Sequence, residues 1–419
     1  MTFEEVEAYC AEGKVETAEL DYKRELPRGG LAKHIAAMSN TLGGIIIIGV
    51  EEDKTGRPAK WDGVPNEGKL VDQIYQQAAN VKPYPSCYVY RTTEKGGRIF
   101  ILVQVLEGSA GPYYTVTDPH IVWIRTGNIS TPLKPADQDA TERIRNRRDK
   151  AITARDGNEA FARQMFQTWL EAAEKERGEL LRADPERNQH LSEPLGKDLA
   201  GLELMLQPYY PTAELLGVKP AEMQNRLLSF KANHGHAHFP ATESQPAPNG
   251  VVSLRNFPRS YRAQIYFDQF YVSGLMYHLH DMRSSRGQGQ QQPTIYLTHI
   301  LMELFEFLEV AQKLYAAFNY HGVLVGSIRL TNAKNLYVEP IVSPGHLLFP
   351  SISDHIAALD QYEWRLDLDT HKLNDSNWLL GSVLNLMEKI YWDLGKYTQY
   401  SPDVARGFLA EVGFVPASL

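Results

Sequence analysis

The stretch that most constrains the fold is Gly43-Gly44-Ile45-Ile46-Ile47-Ile48-Gly49-Val50, followed at once by Glu51, Glu52 and Asp53. A β-branched run this short falls below usual helix length and is apolar on both faces. It suits a central strand covered on both sides. Upstream, Leu31 to Thr41 is an Ala-rich helical pattern that ends at Asn40-Thr41-Leu42-Gly43-Gly44, where glycine supplies the positive φ a helix terminus wants. Residues 15–23 read as an earlier strand carrying Glu16, Glu19, Asp21 and Lys23. Val15 to Asp53 is thus strand, helix, strand, with carboxylates gathered at strand ends.

Grouped carboxylates bind Mg²⁺ or Mn²⁺ because hard cations take oxygen ligands. Glu16, Asp21 and one of Glu51, Glu52 or Asp53 form such a group if the two strands are neighbours. The ion would activate water and stabilise charge on a scissile phosphate. Lys23, two residues from Asp21, shares its face of a strand and is a candidate either to hold that phosphate or to help orient the water.

The rest of the first part is compatible with one domain. Residues 3–12 read as a short amphipathic helix and Lys69–Asn80 as a second, closed by Pro83. Strands are expected at Ser86–Arg91, Arg98–Val105 and His120–Arg125, with Gly96-Gly97 as a hairpin turn. Thr126 to Thr131 reads as a polar turn, and Lys134–Lys150 as a helix ending in a basic run. A second part opens with a helix from Asn158 to about Leu181, followed by a strand at Leu202–Pro208. Residues 231–260, dense in Pro, Gly, Ser and His, look like a linker. Gln264–Leu279 suggests strand, residues 283–293 an exposed loop and Thr298–Phe318 a core-facing helix. Val323–Leu330 and Asn335–Ile341 read as a strand pair, and Trp378–Leu394 as another apolar helix.

The expected fold class is therefore α/β (α+β): a mixed sheet with flanking helices over residues 1–150, and a C-terminal mixed α/β domain over 151–419. Two domains also suit 419 residues, because single cores stop growing at roughly 250–300. No apolar run approaches the roughly 20 residues of a membrane helix. The acidic opening lacks the basic and apolar regions of a signal peptide. Cys10 and Cys87 are the only cysteines, so a disulfide framework or Cys-rich zinc site is excluded. A cytoplasmic protein is the expectation.

Net charge is −8, which argues against a protein coated in basic surface. Residues 1–150 hold 20 Lys+Arg against 21 Asp+Glu, a balance of −1, so the remainder carries −7. Nucleic-acid contact would then be a local patch on the first part. Candidates are Lys54, Arg57, Lys60 and Arg125 near strand ends, and Arg143 and Arg147 in the basic run. Tyr84, Tyr88, Tyr90, Tyr113, Tyr114 and Trp123 are candidates to stack bases, or alternatively core aromatics. His234, His236 and His238 form HxHxH, a pattern that can capture zinc or nickel but also occurs in plain polar loops. No GxxxxGK[ST] is present, so ATP binding has no support and no organic cofactor is expected.

Four motifs, in order and sensibly spaced, carry a resemblance. They are Glu16-Thr17-Ala18-Glu19-Leu20-Asp21-Tyr22-Lys23, Ala37-Met38-Ser39-Asn40-Thr41-Leu42-Gly43-Gly44, Ile48-Gly49-Val50-Glu51-Glu52-Asp53, and Arg125-Thr126-Gly127-Asn128-Ile129-Ser130. Over about residues 13–145 the chain resembles the AlbA-like domain of the Schlafen family. The resemblance implies three carboxylates around a divalent metal, Mg²⁺ or Mn²⁺, used to cut transfer or ribosomal RNA. By position these are Glu16, Asp21 and Glu51, with Lys23 at the phosphate. Asp21 stands where the family usually has Glu, and Glu51 where Asp is common.

Animal nucleases of the family pair two such lobes, whereas this chain shows one, so a homodimer is expected to supply the second. Residues 295–330 resemble C-terminal regions attached to bacterial relatives, which implies a sensing or oligomerisation role. The leading expectation is a metal-dependent endoribonuclease acting on structured RNA such as tRNA, in bacterial stress or phage defence. Its rivals are a non-catalytic DNA-binding or ligand-sensing regulator and an assembly scaffold.

Overall fold

Parallel pairing of the two strands around the Ala-rich helix organises the N-terminal part of the computed structural model. It describes all residues except 127–133, 193, 196–198, 213–214, 231–238, 240–242, 256–264, 283, 286–292, 342–355 and 416–419. Helix α1 (Phe3–Ala11), capped reciprocally by Thr2 and Glu5, precedes β1 (Leu20–Lys23), α2 (Ala32–Ser39) and β2 (Gly44–Ile48). Strands β1 and β2 run parallel, Leu20 opposite Ile45 and Lys23 opposite Ile48. A parallel pair needs a crossover, and α2 provides it. Gly43 and Gly44 turn the chain between them at φ 73° and 146°. A Cβ on Gly44 would lie 2.4 Å from the Glu19 carbonyl oxygen, so only glycine fits.

Two expectations need correcting here. The first strand is confined to Leu20–Lys23, which leaves Glu16 in the preceding loop. And β2 is buried from Ile46 to Ile48, while Ile45 at its start is 39% exposed.

The chain continues through β3 (Glu51–Glu52), β4 (Pro58–Lys60), β5 (Val64–Pro65), α3 (Leu70–Ala79), β6 (Val81–Lys82) and β7 (Cys87–Arg91). Then follow β8 (Arg98–Ile99), β9 (Ile101–Val105), β10 (Tyr114–Thr115), β11 (Asp118–Ile124) and β12 (Lys134–Pro135). One sheet has the order β1-β2-β9-β7 and another β12-β11-β10-β6, with two-stranded ladders β3-β4 and β5-β8. Ile35 and Met38 of α2 pack with Ile46, Ile48 and Val103 on one face of the first sheet. Phe3 and Val6 of α1 pack with Tyr22, Ile47 and Phe100 on the other. Full burial of each such side chain contributes about 1.5–3 kcal/mol.

Helix α4 spans Gln138–Ala183 without interruption, 46 residues. The expected gap between a helix to Lys150 and another from Asn158 does not exist. Gly157 costs only about 1 kcal/mol inside a helix, too little to break one held by its neighbours. The chain divides into two compact units, Met1–Ile152 and Thr153–Leu419, with the boundary inside α4.

The second unit contains β13 (Gly201–Pro208), α5 (Pro220–Arg226), β14 (Glu243–Ala247), β15 (Gly250–Arg255), β16 (Tyr266–Tyr271), β17 (Met276–Asp281), β18 (Ser284–Ser285) and β19 (Pro293–Tyr296). These are followed by α6 (Leu297–Ala317), β20 (Val323–Thr331), β21 (Tyr337–Glu339), β22 (Gln361–Asp369), α7 (Thr370–Leu373), α8 (Ser376–Asp393) and α9 (Pro402–Glu411). A seven-stranded sheet has the order β14-β15-β16-β17-β13-β20-β22, and a three-stranded one β18-β19-β21.

Part of the expected linker is thus a hairpin. Pro248 and the left-handed Asn249 (φ 57°) turn β14 into β15, and Pro246 sits on the edge strand, where a missing N–H is tolerated. Where one strand was expected over Gln264–Leu279, the described residues form two, β16 and β17, joined at Gly274 (φ 84°). The expected pair at 323–341 separates, because β20 pairs with β13 and β22 whereas β21 pairs with β19. Left-handed Asn332 and Asn335 redirect the chain between them.

Helix α6 is tied to this sheet by buried charge as well as by Ile300, Leu304 and Leu308. Glu303 bridges His278 Nε2 at 3.0 Å and His280 Nδ1 at 2.9 Å, and Asp268 lies 2.6 Å from His278 Nδ1. Among the described residues no helix is long and apolar enough to cross a membrane. His234, His236 and His238, most of residues 283–293 and residues 127–131 of the polar turn lie outside the described residues.

Candidate functional site

Asp21 is the centre of the first unit's polar chemistry. It stands in β1 on the face covered by α2 and is 3% exposed. A lysine, a histidine and an arginine from three places in the chain meet there. Lys23 Nζ lies 2.8 Å from Oδ1, while His34 Nδ1 lies 3.1 Å and Arg125 Nη1 3.5 Å from Oδ2. The strand repeat of two puts Lys23 beside Asp21, and α2, packed over β2 and β9, carries His34. Arg125 follows β11; it is anchored by donating to the Thr17 carbonyl at 2.9 Å, and its backbone N–H donates to Thr41 Oγ1 at 3.1 Å. Burial alone would raise the Asp21 carboxyl, but His34, Lys23 and Arg125 hold it well below the usual carboxylate range.

Glu16 has the opposite character. Its backbone N–H donates to the Gly56 carbonyl at 2.8 Å, and its carboxylate oxygen accepts the Tyr22 N–H at 2.6 Å. Burial pushes its carboxyl up to about 8; the Tyr22 N–H opposes this, and contact with Asp21 and Glu52 adds to it. Side-chain contacts thus join Glu16 to Asp21 and Glu52. One oxygen each of Asp21 and Glu52 is buried without a completed hydrogen bond.

Glu51 turns the other way. Consecutive residues of a strand face opposite sides, and β3 sends Glu52 to Glu16 but Glu51 to Arg24, 3.6 Å away. There Glu51 lines a polar cavity of about 190 Å³ with Arg24, Lys60, Asp62 and Arg98. The structure thus joins Glu16 to Asp21 but not to Glu51. Among the described residues no group of three or more His, Cys, Asp or Glu is arranged to hold a metal ion. Asp21 faces Lys23 with Oδ1 and His34 and Arg125 with Oδ2, and it is Glu52 rather than Glu51 that contacts Glu16. As a ligand set for Mg²⁺ or Mn²⁺, Glu16, Asp21 and Glu51 do not fit.

The remaining candidates divide by position. Arg125 belongs to the site. Lys54 and Arg57 are exposed on the β3–β4 hairpin, whose Gly56 carbonyl holds Glu16. Lys60 pairs with Asp62 at 2.8 Å, on the Glu51 side. Arg147 of α4 donates to the Thr41 carbonyl at 3.1 Å and pairs with Glu107 at 2.8 Å, while Arg143 is exposed. Of the aromatics, Tyr113 and Trp123 are core residues, whereas Tyr84 and Tyr90 are exposed. Asn40 is a structural tie: its amide donates to the Tyr113 and Trp123 carbonyls at 2.7 and 2.9 Å and accepts the Tyr113 N–H at 2.7 Å.

His34 was absent from the sequence-derived candidates. The available signal was weak: it is one of two histidines in the first 150 residues, near the start of a helix between two chemistry-bearing strands.

Comparison with known proteins bears on this region. Residues 16–134 match the family model described as Schlafen, AlbA_2. A crystal structure of the DIP2311 protein from Corynebacterium diphtheriae is similar at 24% identity, covering 32% of this chain and 26% of that one, with a TM-score of 0.21. The match thus spans about a quarter of that chain's length. Comparison with curated proteins gives no match.

Proposed function

We propose that the Schlafen AlbA-like domain formed by residues 16–134 binds nucleic acid and cleaves RNA phosphodiester bonds at the Asp21 cluster, with structured RNA such as tRNA as the substrate class. The observation that supports this most is the convergence of Lys23, His34 and Arg125 on one ionised carboxylate. All three keep partial exposure, 20%, 21% and 12% of the side chain, while Asp21 keeps 4%. Three such groups at one accessible spot can turn towards a phosphate, with the planar Arg125 guanidinium suited to two phosphate oxygens.

Lys54, Arg57 and Arg143 would extend the contact along the backbone; each phosphate neutralised steepens the salt dependence of binding. A second copy of the chain would face the first across the RNA. Light scattering with and without RNA tests this, and a monomer in both conditions would exclude it.

The function test is a gel. The full chain is incubated with total tRNA, once with Mg²⁺ and Mn²⁺ and once with EDTA. Discrete strand scission in either lane supports the proposal. A shifted but intact band in both lanes would instead assign a non-catalytic binding module, the same outcome a DNA-associated regulator would give.

A further inference from the structure

We propose that two copies of this chain join edge to edge through β22, as an antiparallel pair that extends the seven-stranded sheet across a twofold axis at Trp364. This rests on the homodimer reading and names its contact; RNA cleavage is independent of it.

The order β14-β15-β16-β17-β13-β20-β22 has two outer strands. One, β14, carries Pro246, a residue that blunts an edge. The other, β22, runs nine residues, Gln361–Asp369, without proline or glycine. Its backbone facing follows from the bond at its end, where the Thr370 N–H donates to the Gly322 carbonyl at 3.1 Å. The register with β20 continues that pair as Leu368 opposite Leu324, Leu366 opposite Gly326 and Trp364 opposite Ile328. Bonded and non-bonded pairs alternate in an antiparallel ladder. Gln361, Glu363, Arg365 and Asp367 therefore turn their N–H and C=O groups to the outer side. Among the described residues no strand pairs there, and an open edge is a template for another strand.

A second β22 complements the first in one register. With Trp364 opposite Trp364, Glu363 stands opposite Arg365 of the second copy, Arg365 opposite its Glu363, and Gln361 opposite its Asp367. One ladder step in one direction sets Glu363 against Glu363. One step in the other sets Arg365 against Arg365 and Glu363 against Asp367. A further step that way sets Glu363 against Asp369, where the strand ends at α7. The Arg365 side chain is 81% exposed, with Glu363 of its own strand 3.9 Å away, so it can reach across. On the other face Trp364 donates its indole N–H to Asp393 at 2.7 Å, which brings the end of α8 to the midpoint of the strand. Next to Asp393, Trp392 is 65% exposed and packs on the exposed Tyr397, ring centroids 5.0 Å apart. Exposed aromatics of this kind anchor partner surfaces, and the second copy would lie beside them.

The test uses the full chain without RNA. Glu363→Cys and Arg365→Cys chains with tags of different length are co-expressed and mildly oxidised; the native Cys10 and Cys87 are buried. The expected product is a disulfide-linked heterodimer. Each variant alone stays uncrosslinked, because equal positions then lie diagonally apart, beyond disulfide reach. In sedimentation, Arg365→Glu raises the dimer dissociation constant about tenfold or more, since two like-charge pairs replace two opposite ones. Adding Glu363→Arg to that variant restores the dimer. Crosslinking of either cysteine variant with itself, no crosslink in the mixture, or a dimer indifferent to Arg365→Glu overturns the β22 contact while the homodimer reading stands. A wild type monomeric without RNA also overturns the contact, and one monomeric with RNA as well overturns the homodimer reading too.

Discussion

Glu16 offers the most direct check on the electrostatics of the site. Its carboxyl is displaced from 4.5 to about 8 in the folded chain, chiefly by burial. Between those values the native state holds a proton that the unfolded state has released, so stability falls as pH rises through the window. At about 1.4 kcal/mol per pH unit the displacement corresponds to on the order of 5 kcal/mol. Glu16→Gln removes the titration but keeps an oxygen to accept the Tyr22 N–H and an amide to donate towards Asp21 and Glu52.

The variant should match the wild type near pH 5 and become progressively more stable than it towards pH 9, by several kcal/mol. Urea titrations of both proteins at a series of pH values measure the difference. Selective ¹³C labelling of glutamate carboxyls, with the variant identifying the Glu16 signal, gives the midpoint itself. If Glu16 is neutral at the working pH, RNA scission by the variant stays within a few-fold of wild type. A midpoint in the ordinary glutamate range, or a stability difference flat with pH, would refute the reasoning and restore Glu16 as an ionised ligand.

Other perturbations follow from the same contacts. Asn40→Ala strands the Tyr113 N–H and two carbonyls in the core and should cost about 2–4 kcal/mol, read by thermal unfolding of the first unit. In the second unit, burial would lower the His278 imidazole, but Asp268 and Glu303 raise it from 6.5 to about 10. Because the folded value is the higher one, the stabilisation is full below the unfolded value and is lost as pH climbs through about 10. Glu303→Gln should therefore cost about 3–5 kcal/mol at neutral pH, as for other broken buried pairs, and flatten the loss of stability between pH 7 and 10. Unfolding curves at the two ends of that range check both statements.

The β1–α2–β2 unit was readable because several signals agree on it: a β-branched run, glycines where no Cβ fits, and an Asn-Thr pair whose hydrogen bonds reach β11. The choice between Glu51 and Glu52 was not readable. The alternation counted along β2 is broken at Gly49, which takes φ 109°, so the facing of β3 follows from tertiary structure. His34 gave no periodic signal, since one histidine on a short helix reads as surface until Asp21 is placed beneath it. Polar composition hid the continuity of α4, and Pro246 and Pro248 hid the hairpin at 243–255. In both, packing overrides a local preference of about 1 kcal/mol.

The measurement that bears most directly on the central claim compares Asp21→Asn with Glu51→Gln in tRNA cleavage, with melting curves confirming that both variants fold. If the Asp21 cluster is the site, Asp21→Asn loses about 100-fold or more of the rate while Glu51→Gln stays within a few-fold of wild type. Equal loss in both variants, or undiminished cleavage by Asp21→Asn, would contradict the account.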